Sequence, residues 1–318
     1  IMEDRIDTLD VSVTSGDHAV SIEPFIAERI EVLKGAGTLL YGSGAIGGVV
    51  DIHTGRIPHH VAKKPVSGGI ETRFNNNENA NTSSIKLNGG KGVFAWHLDA
   101  TRKDSDDYKI PGFAESARLR ASEEAEEAEE DHARDVLSGS AFTFESAALG
   151  GSYIKDWGFV GLSISDTDAT YGLPGHAEHH DDEEGAEPEE DHHDEHEEHD
   201  ENATLILKQT RSDFELGLED PFNTVSSINV RIGVNDYEHQ EVEPNGEVAT
   251  RFSNQAWESR AELIFDANEW TNAIGVQYSQ RDFSALGEEA FIQPVDTTES
   301  GLFWLAERSL SHFDLEAG

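Results

Sequence analysis

The chain contains no cysteine, which excludes a disulfide framework and thiolate metal sites and leaves imidazole and carboxylate as its only strong ligands. Long apolar runs are missing too: nothing approaches the roughly 18 residues of a membrane-spanning helix, and no signal peptide is read at its start. Positive charge is scarce, 23 Lys and Arg against 64 Asp and Glu, and the net charge of −41 argues against nucleic acid as a partner. Apolar residues make up only 36% of the chain, and mean hydropathy is −0.54. No nucleophile–base arrangement stands out, so the chain is not read as an enzyme. Length is ample: 318 residues suffice for two domains or one large barrel.

The excess negative charge is concentrated. Residues 176–200 hold fourteen acids, seven histidines and no Lys or Arg, while residues 104–135 hold twelve acids against four bases. Together they carry 22 of the 41 excess charges, so both read as loops hung on a more balanced scaffold. The run from His176 to Asp200 has nothing with which to build a core and is expected to be a solvated loop. Imidazole beside carboxylate suits borderline divalent metals, zinc first, then nickel and copper. His176, His179, His180, Asp181, Asp182, His192, His193, His196 and His199 offer many overlapping chelates. A low-complexity acidic linker with incidental histidine is the plainer alternative.

From about residue 66 the apolar period is two. Ile228, Val230, Ile232 and Val234 alternate with Asn229, Arg231, Gly233 and Asn235; Trp257, Ala261, Leu263 and Phe265 oppose Glu258, Arg260 and Glu262. Phe94, Trp96 and Leu98 against His97 and Asp99, and Val160, Leu162 and Ile164 against Ser163 and Ser165, repeat the pattern. Short turns fall near residues 89–92, 155–158, 219–226 and 266–271, and long connections near 104–136, 171–202, 239–250 and 285–298. If strands run up and down, the turns share one end and the long loops the other, the arrangement of outer-membrane barrels. The fold expected is mainly β: a transmembrane antiparallel barrel with long extracellular loops, one being the His/acid loop 171–202, and inward charges that line the lumen. About ten strands of roughly ten residues are read.

Residues 1–60 read instead as a compact region of short strands. Within them Gly42-Ser43-Gly44-Ala45-Ile46-Gly47 matches the dinucleotide fingerprint, but that fingerprint needs a helix, and Val49-Val50-Asp51-Ile52 reads as a strand. The run Arg29-Ile30-Glu31-Val32-Leu33-Lys34-Gly35, with Leu39-Leu40-Tyr41-Gly42 and Gly47-Gly48-Val49-Val50-Asp51-Ile52, resembles the C-terminal half of the plug domain of TonB-dependent outer-membrane receptors. Ala36 and Asp51 depart from the family's usual Pro and Asn. The resemblance implies a plug at residues 1–60 inside the N-terminal part of a barrel at 61–318, with the TonB box outside this chain.

Tyr171-Gly172-Leu173-Pro174-Gly175-His176, Lys208-Gln209-Thr210-Arg211, Asn235-Asp236-Tyr237-Glu238-His239 and Ser284-Ala285-Leu286-Gly287 resemble the zinc-uptake branch of that family. What this implies is a receptor in the outer membrane of a Gram-negative bacterium, embedded in lipid and coupled to the TonB–ExbB–ExbD complex. Its cargo would be Zn2+, with Ni2+, Cu2+ or a metallophore or siderophore as alternatives, and no catalytic cofactor. A non-transporting metal-buffering or adhesive surface barrel is the alternative of another class. By the same resemblance Asp17 and His18, in the turn-type cluster Ser15-Gly16-Asp17-His18, ligate metal in the lumen; on residues alone they equally suit a turn. His239 and Glu241, placed on the long loop 239–250, are the barrel candidates, whereas His53, His59 and His60 read as ordinary linker histidines.

Overall fold

The computed structural model describes residues 1–11, 22–42, 45, 47–118, 120, 134–174, 203–287, 290 and 292–318. The first region is a four-stranded sheet. Its strands β1 (Met2–Glu3), β2 (Ile6–Asp7), β3 (Arg29–Leu33) and β4 (Val49–His53) lie in the order β2-β1-β4-β3, with β1 and β4 parallel and the other pairs antiparallel. A 3-10 turn, Ala36–Tyr41, links β3 to β4 and ends at Gly42, whose φ of +85° is a conformation glycine adopts without steric cost. Met2, Tyr41, Ala45 and Val49 close a small core with Leu33 and Leu40. A strand follows the glycines at 42–47, as the β-branched run predicts, so this is no dinucleotide site.

The second region is an antiparallel meander of eleven strands. It comprises β5 (Val66–Asn75), β6 (Ala80–Lys91), β7 (Phe94–Ser105), β10 (Phe142–Lys155), β11 (Gly158–Gly172), β12 (Thr204–Phe222), β13 (Val225–Val242), β14 (Val248–Ala267), β15 (Trp270–Gly287), β16 (Val295–Ser309) and β17 (Asp314–Ala317). Each pairs with its neighbour in the sheet, leaving β5 and β17 as the two edges. A separate hairpin, β8 (Tyr108–Phe113) with β9 (Arg134–Leu137), sits in the connection between β7 and β10. That connection reads from sequence as a charged loop throughout. The hairpin forms where its few apolar residues gather, Phe113 lying under the Arg120 and Arg134 guanidiniums at 3.7 and 5.0 Å.

The four short turns fall where the sequence places them, but the other end differs. Residues 76–79 make a short turn there, and β13 runs on to Val242, leaving 243–247 as the loop instead of 239–250. His239 and Glu241 are therefore strand residues, a correction to their placement on a loop. The cause is length: 18 residues at about 3.3 Å span roughly 60 Å, well beyond an apolar band about 25 Å tall. Above the band the outward positions Asp236, Glu238 and Gln240 are polar, so the alternation looks lost although the pairing continues.

Side-chain parity decides the two faces. Leu162 (62% exposed), Ile164, Val234, Val276 and Leu302 face outward, while His97, Asp99, Ser163, Glu258, Arg260 and Glu262 are buried on the inner face. The plug sheet packs against that inner face, and the contact is mainly polar. Arg5 Nη1 donates to Glu262 at 3.1 Å, and Arg260 Nη2 donates to the other oxygen of the same carboxylate at 3.2 Å. Arg56 bridges Asp99 on β7 (Nε, 3.1 Å) and Glu3 on β1 (Nη1, 2.8 Å), with His97 a further 2.9 Å from Asp99. Arg211 Nη1 donates to the Asp7 carbonyl at 2.9 Å. The charges expected to line an open lumen are thus the plug's docking points. Gly150 shows how close the approach is: a Cβ there would stand 1.9 Å from the Arg56 carbonyl oxygen.

Candidate metal-binding lumen

Above the plug sheet, on the side of the long connections, the inner wall carries the one pair of sequence-predicted ligands within the described residues. His239 and Glu241 are two apart on β13, so both project inward, and both are buried. His239 Nδ1 lies 3.3 Å from the Tyr237 hydroxyl, and its ring meets Phe252 of β14 edge-on, with centroids 5.6 Å apart. These contacts fix the ring's position on the wall.

The plug reaches this spot. The Leu9 carbonyl accepts from Asn235 Nδ2 at 2.8 Å and from Asn254 Nδ2 at 2.7 Å. Val11 then enters an aromatic-rich cluster with Tyr237, Phe252, Leu205 and Leu207. Asp17 and His18 lie outside the described residues, as do all nine ligand candidates of 176–200. Their tethers are nevertheless placed. Asp17 follows Val11 by six residues, a reach of at most about 20 Å. The His/acid segment enters from Gly172 and leaves at Thr204, which pair with each other, and Thr204 pairs with Val242 next to Glu241.

One donor cluster is absent from the sequence reading. Among the described residues, Glu31, Asp51 and His53 place a ligand atom each within 4.8 Å of one another. The sequence holds its signal only once β3 and β4 are paired, because Glu31 then stands opposite Asp51, and Asp51 shares a face with His53. His53, His59 and His60 also line a cavity of about 640 Å³ between plug and wall. His59 stacks on Phe159 at 4.1 Å and meets Glu215 at 2.8 Å. Asp4, on the same cavity, is enclosed by plug and wall although a third of its side chain faces the cavity space. Burial, aided by the charges of Glu3, Glu215 and Asp213 and opposed by the Thr54 hydrogen bond, pushes its carboxyl up to about 7.

A small plug sheet seated against an antiparallel wall that is polar inside and aliphatic outside is the architecture of plugged outer-membrane barrels. The TonB-dependent Receptor Plug Domain model matches residues 5–49. Similar solved structures are the copper transporter OprC (TM-score 0.66, 11% identity, covering 91% of this chain and 42% of that one) and the FrpB iron transporter from Neisseria meningitidis (0.62, 13%, 93% and 46%). The alcaligin outer-membrane receptor FauA from Bordetella pertussis is another (0.55, 11%, 92% and 48%). The chain thus has the plug-and-barrel fold of TonB-dependent outer-membrane receptors, an integral outer-membrane architecture, and spans under half the length of these three structures.

Proposed function

We propose that the chain is the plug and first part of the barrel of a TonB-dependent transporter that imports a divalent metal ion, zinc foremost. The observation that carries this reading is the buried, inward-facing pair His239 and Glu241. It lies where the plug segment at Leu9–Val11, six residues before Asp17, meets the wall, and beside the strand end from which the His/acid segment springs. The segment 176–200 collects cations by its field and by weak chelates, and the lumenal residues select among them by fixed geometry. An imidazole with two or three carboxylate or imidazole partners matches a zinc donor set at about 2.0–2.2 Å.

OprC is a copper transporter and FrpB an iron transporter, so the cargo is not given by the fold. The donors present favour zinc over monovalent copper. The chain has no cysteine, and its single methionine, Met2, is buried in the plug core, so soft sulfur ligands are lacking. The polar plug contact suits transport, since guanidinium–carboxylate bridges re-form in water when a plug moves, whereas an oily contact resists separation. Zinc titration of the full-length receptor lacking 176–200 tests the reading. One tight equivalent should be lost in His239→Ala and in Asp17→Ala/His18→Ala; unchanged tight binding in both refutes it.

A further inference from the structure

The cluster at Glu31, Asp51 and His53 lies apart from the lumenal pair. His53 lines the cavity that Arg231 also borders, and Arg231 is eight residues down β13 from His239, roughly 25 Å at about 3.3 Å per residue. The two places are on opposite sides of the plug sheet's contact with the wall, the lumenal pair toward the long connections and the cluster toward the short turns.

Two of the cluster's three donor separations suit a shared ion, and all three ligand atoms lie within 4.8 Å of one another. His53 Nε2 stands 3.3 Å from Glu31 Oε2 and 3.4 Å from Asp51 Oδ2. Donors held at about 2.0–2.1 Å by a tetrahedral ion are roughly 3.3–3.4 Å apart, so little movement is needed to admit one. The outer atoms of the same groups are committed, and the inner Asp51 Oδ2 also accepts from the Tyr41 hydroxyl at 3.4 Å. Asp51 Oδ1 accepts from the Arg5 backbone amide at 3.1 Å, and Arg29 Nε contacts the second oxygen of Glu31, Oε1, at 3.0 Å. His53 Nδ1 faces Asp4 Oδ1 at 3.7 Å, beyond hydrogen-bond length, and the Asp4 oxygens accept instead from the Thr54 amide and hydroxyl. Asp51 is fully buried, while Glu31 and His53 keep partial access, and His53 borders the cavity, so the cluster retains an open fourth position on its accessible side.

We propose that Glu31, Asp51 and His53 form a second divalent-cation site, taking a borderline ion such as zinc, at the cavity on the short-turn side of the plug. The binding claim stands on this geometry. Its role as a station that holds the ion after it leaves the lumenal pair rests on the transport reading above. Such a station keeps an ion chelated while the plug shifts, and its mixed nitrogen and oxygen donors bind tightly enough to receive an ion yet leave one position open for exchange. The competing occupant is a proton: imidazolium at His53 would bridge both carboxylates as a salt bridge and leave no room for metal.

The test is diffraction from full-length receptor crystals soaked in zinc, with data on both sides of the zinc absorption edge. The expected result is a zinc peak within bonding reach of Glu31, Asp51 and His53. In His53→Gln and in Asp51→Asn that peak disappears while a peak at His239 persists. In chelator competition the affinity of this site should fall by more than the 10–100-fold typical of losing a ligand's hydrogen-bond partner. Zinc at His239 but not here overturns the second site and leaves the transport reading standing; zinc here but not at His239 does the reverse. If either variant fails to fold, the unsubstituted soak still decides, because no peak at the cluster at saturating zinc overturns the assignment.

Discussion

Replacing Glu262 with Gln removes the anion shared by two guanidiniums, Arg5 from the plug and Arg260 from the wall. The Arg260 side chain is fully buried and that of Glu262 is 2% exposed, so neither charge can be rehydrated in place; Arg5, at 28%, partly can. Breaking a buried ion pair from one side costs about 3–5 kcal/mol, and the access left to Arg5 puts the expectation at the lower end, about 3 kcal/mol. Since Arg5 lies between β1 and β2, much of that loss falls on plug docking, and opening of this segment should become on the order of 100-fold more frequent at 1.4 kcal/mol per factor of ten. Amide hydrogen exchange of residues 2–9 in the full-length receptor in lipid reads this opening. Adding Arg5→Gln removes one stranded cation, so the double variant should be less perturbed than the sum of the singles by about 0.5–3 kcal/mol. Exchange within twofold of the parent in Glu262→Gln, or strict additivity in the pair, refutes the bridging role.

Outward substitutions should behave differently: Leu162→Arg should cost about 2–4 kcal/mol near the bilayer midplane, measured by reversible unfolding in lipid vesicles, and a negligible cost would place the register off by one. Gly150→Ala forces the Arg56 segment off the wall and should destabilise by about 1–3 kcal/mol, read by the same unfolding, while Gly92→Ala at the β6–β7 turn meets no neighbouring atom and is strained only by its φ of +68°. Metal capture by 176–200 should weaken as pH falls through the imidazole range near about 6.5, because protonated histidine cannot ligate; capture by cells that is flat from pH 7.5 to 5.5 would remove the histidines from the account.

Much of the wall was legible because side chains alternate strictly along a strand. One parity of Leu162–Ile164 or Glu258–Glu262 assigns every neighbour, and turn chemistry marks the ends. The plug was legible from a contiguous motif. What stayed hidden depends on residues far apart in the chain: Arg5 finds Glu262 257 positions away, and Arg56 finds Asp99 43 away, so charges that looked like lumen lining are docking points. His239 and Glu241 were found as residue types but misplaced on a loop, since polar outward positions above the apolar band mimic a strand's end. Glu31, Asp51 and His53 were passed over because their convergence exists only in the pairing of β3 with β4.

The central claim, selective zinc import through the lumenal pair, is tested most directly by radioactive zinc uptake into cells that depend on the full-length receptor. Uptake should be measured at limiting and at plentiful zinc, with nickel and copper as competitors. The account predicts that removing 176–200 slows uptake at limiting zinc only, that His239→Ala with Glu241→Gln abolishes high-affinity uptake at both, and that equimolar nickel or copper competes poorly. Uptake at limiting zinc that survives the paired substitution, or that nickel or copper suppresses as well as zinc does, would contradict it.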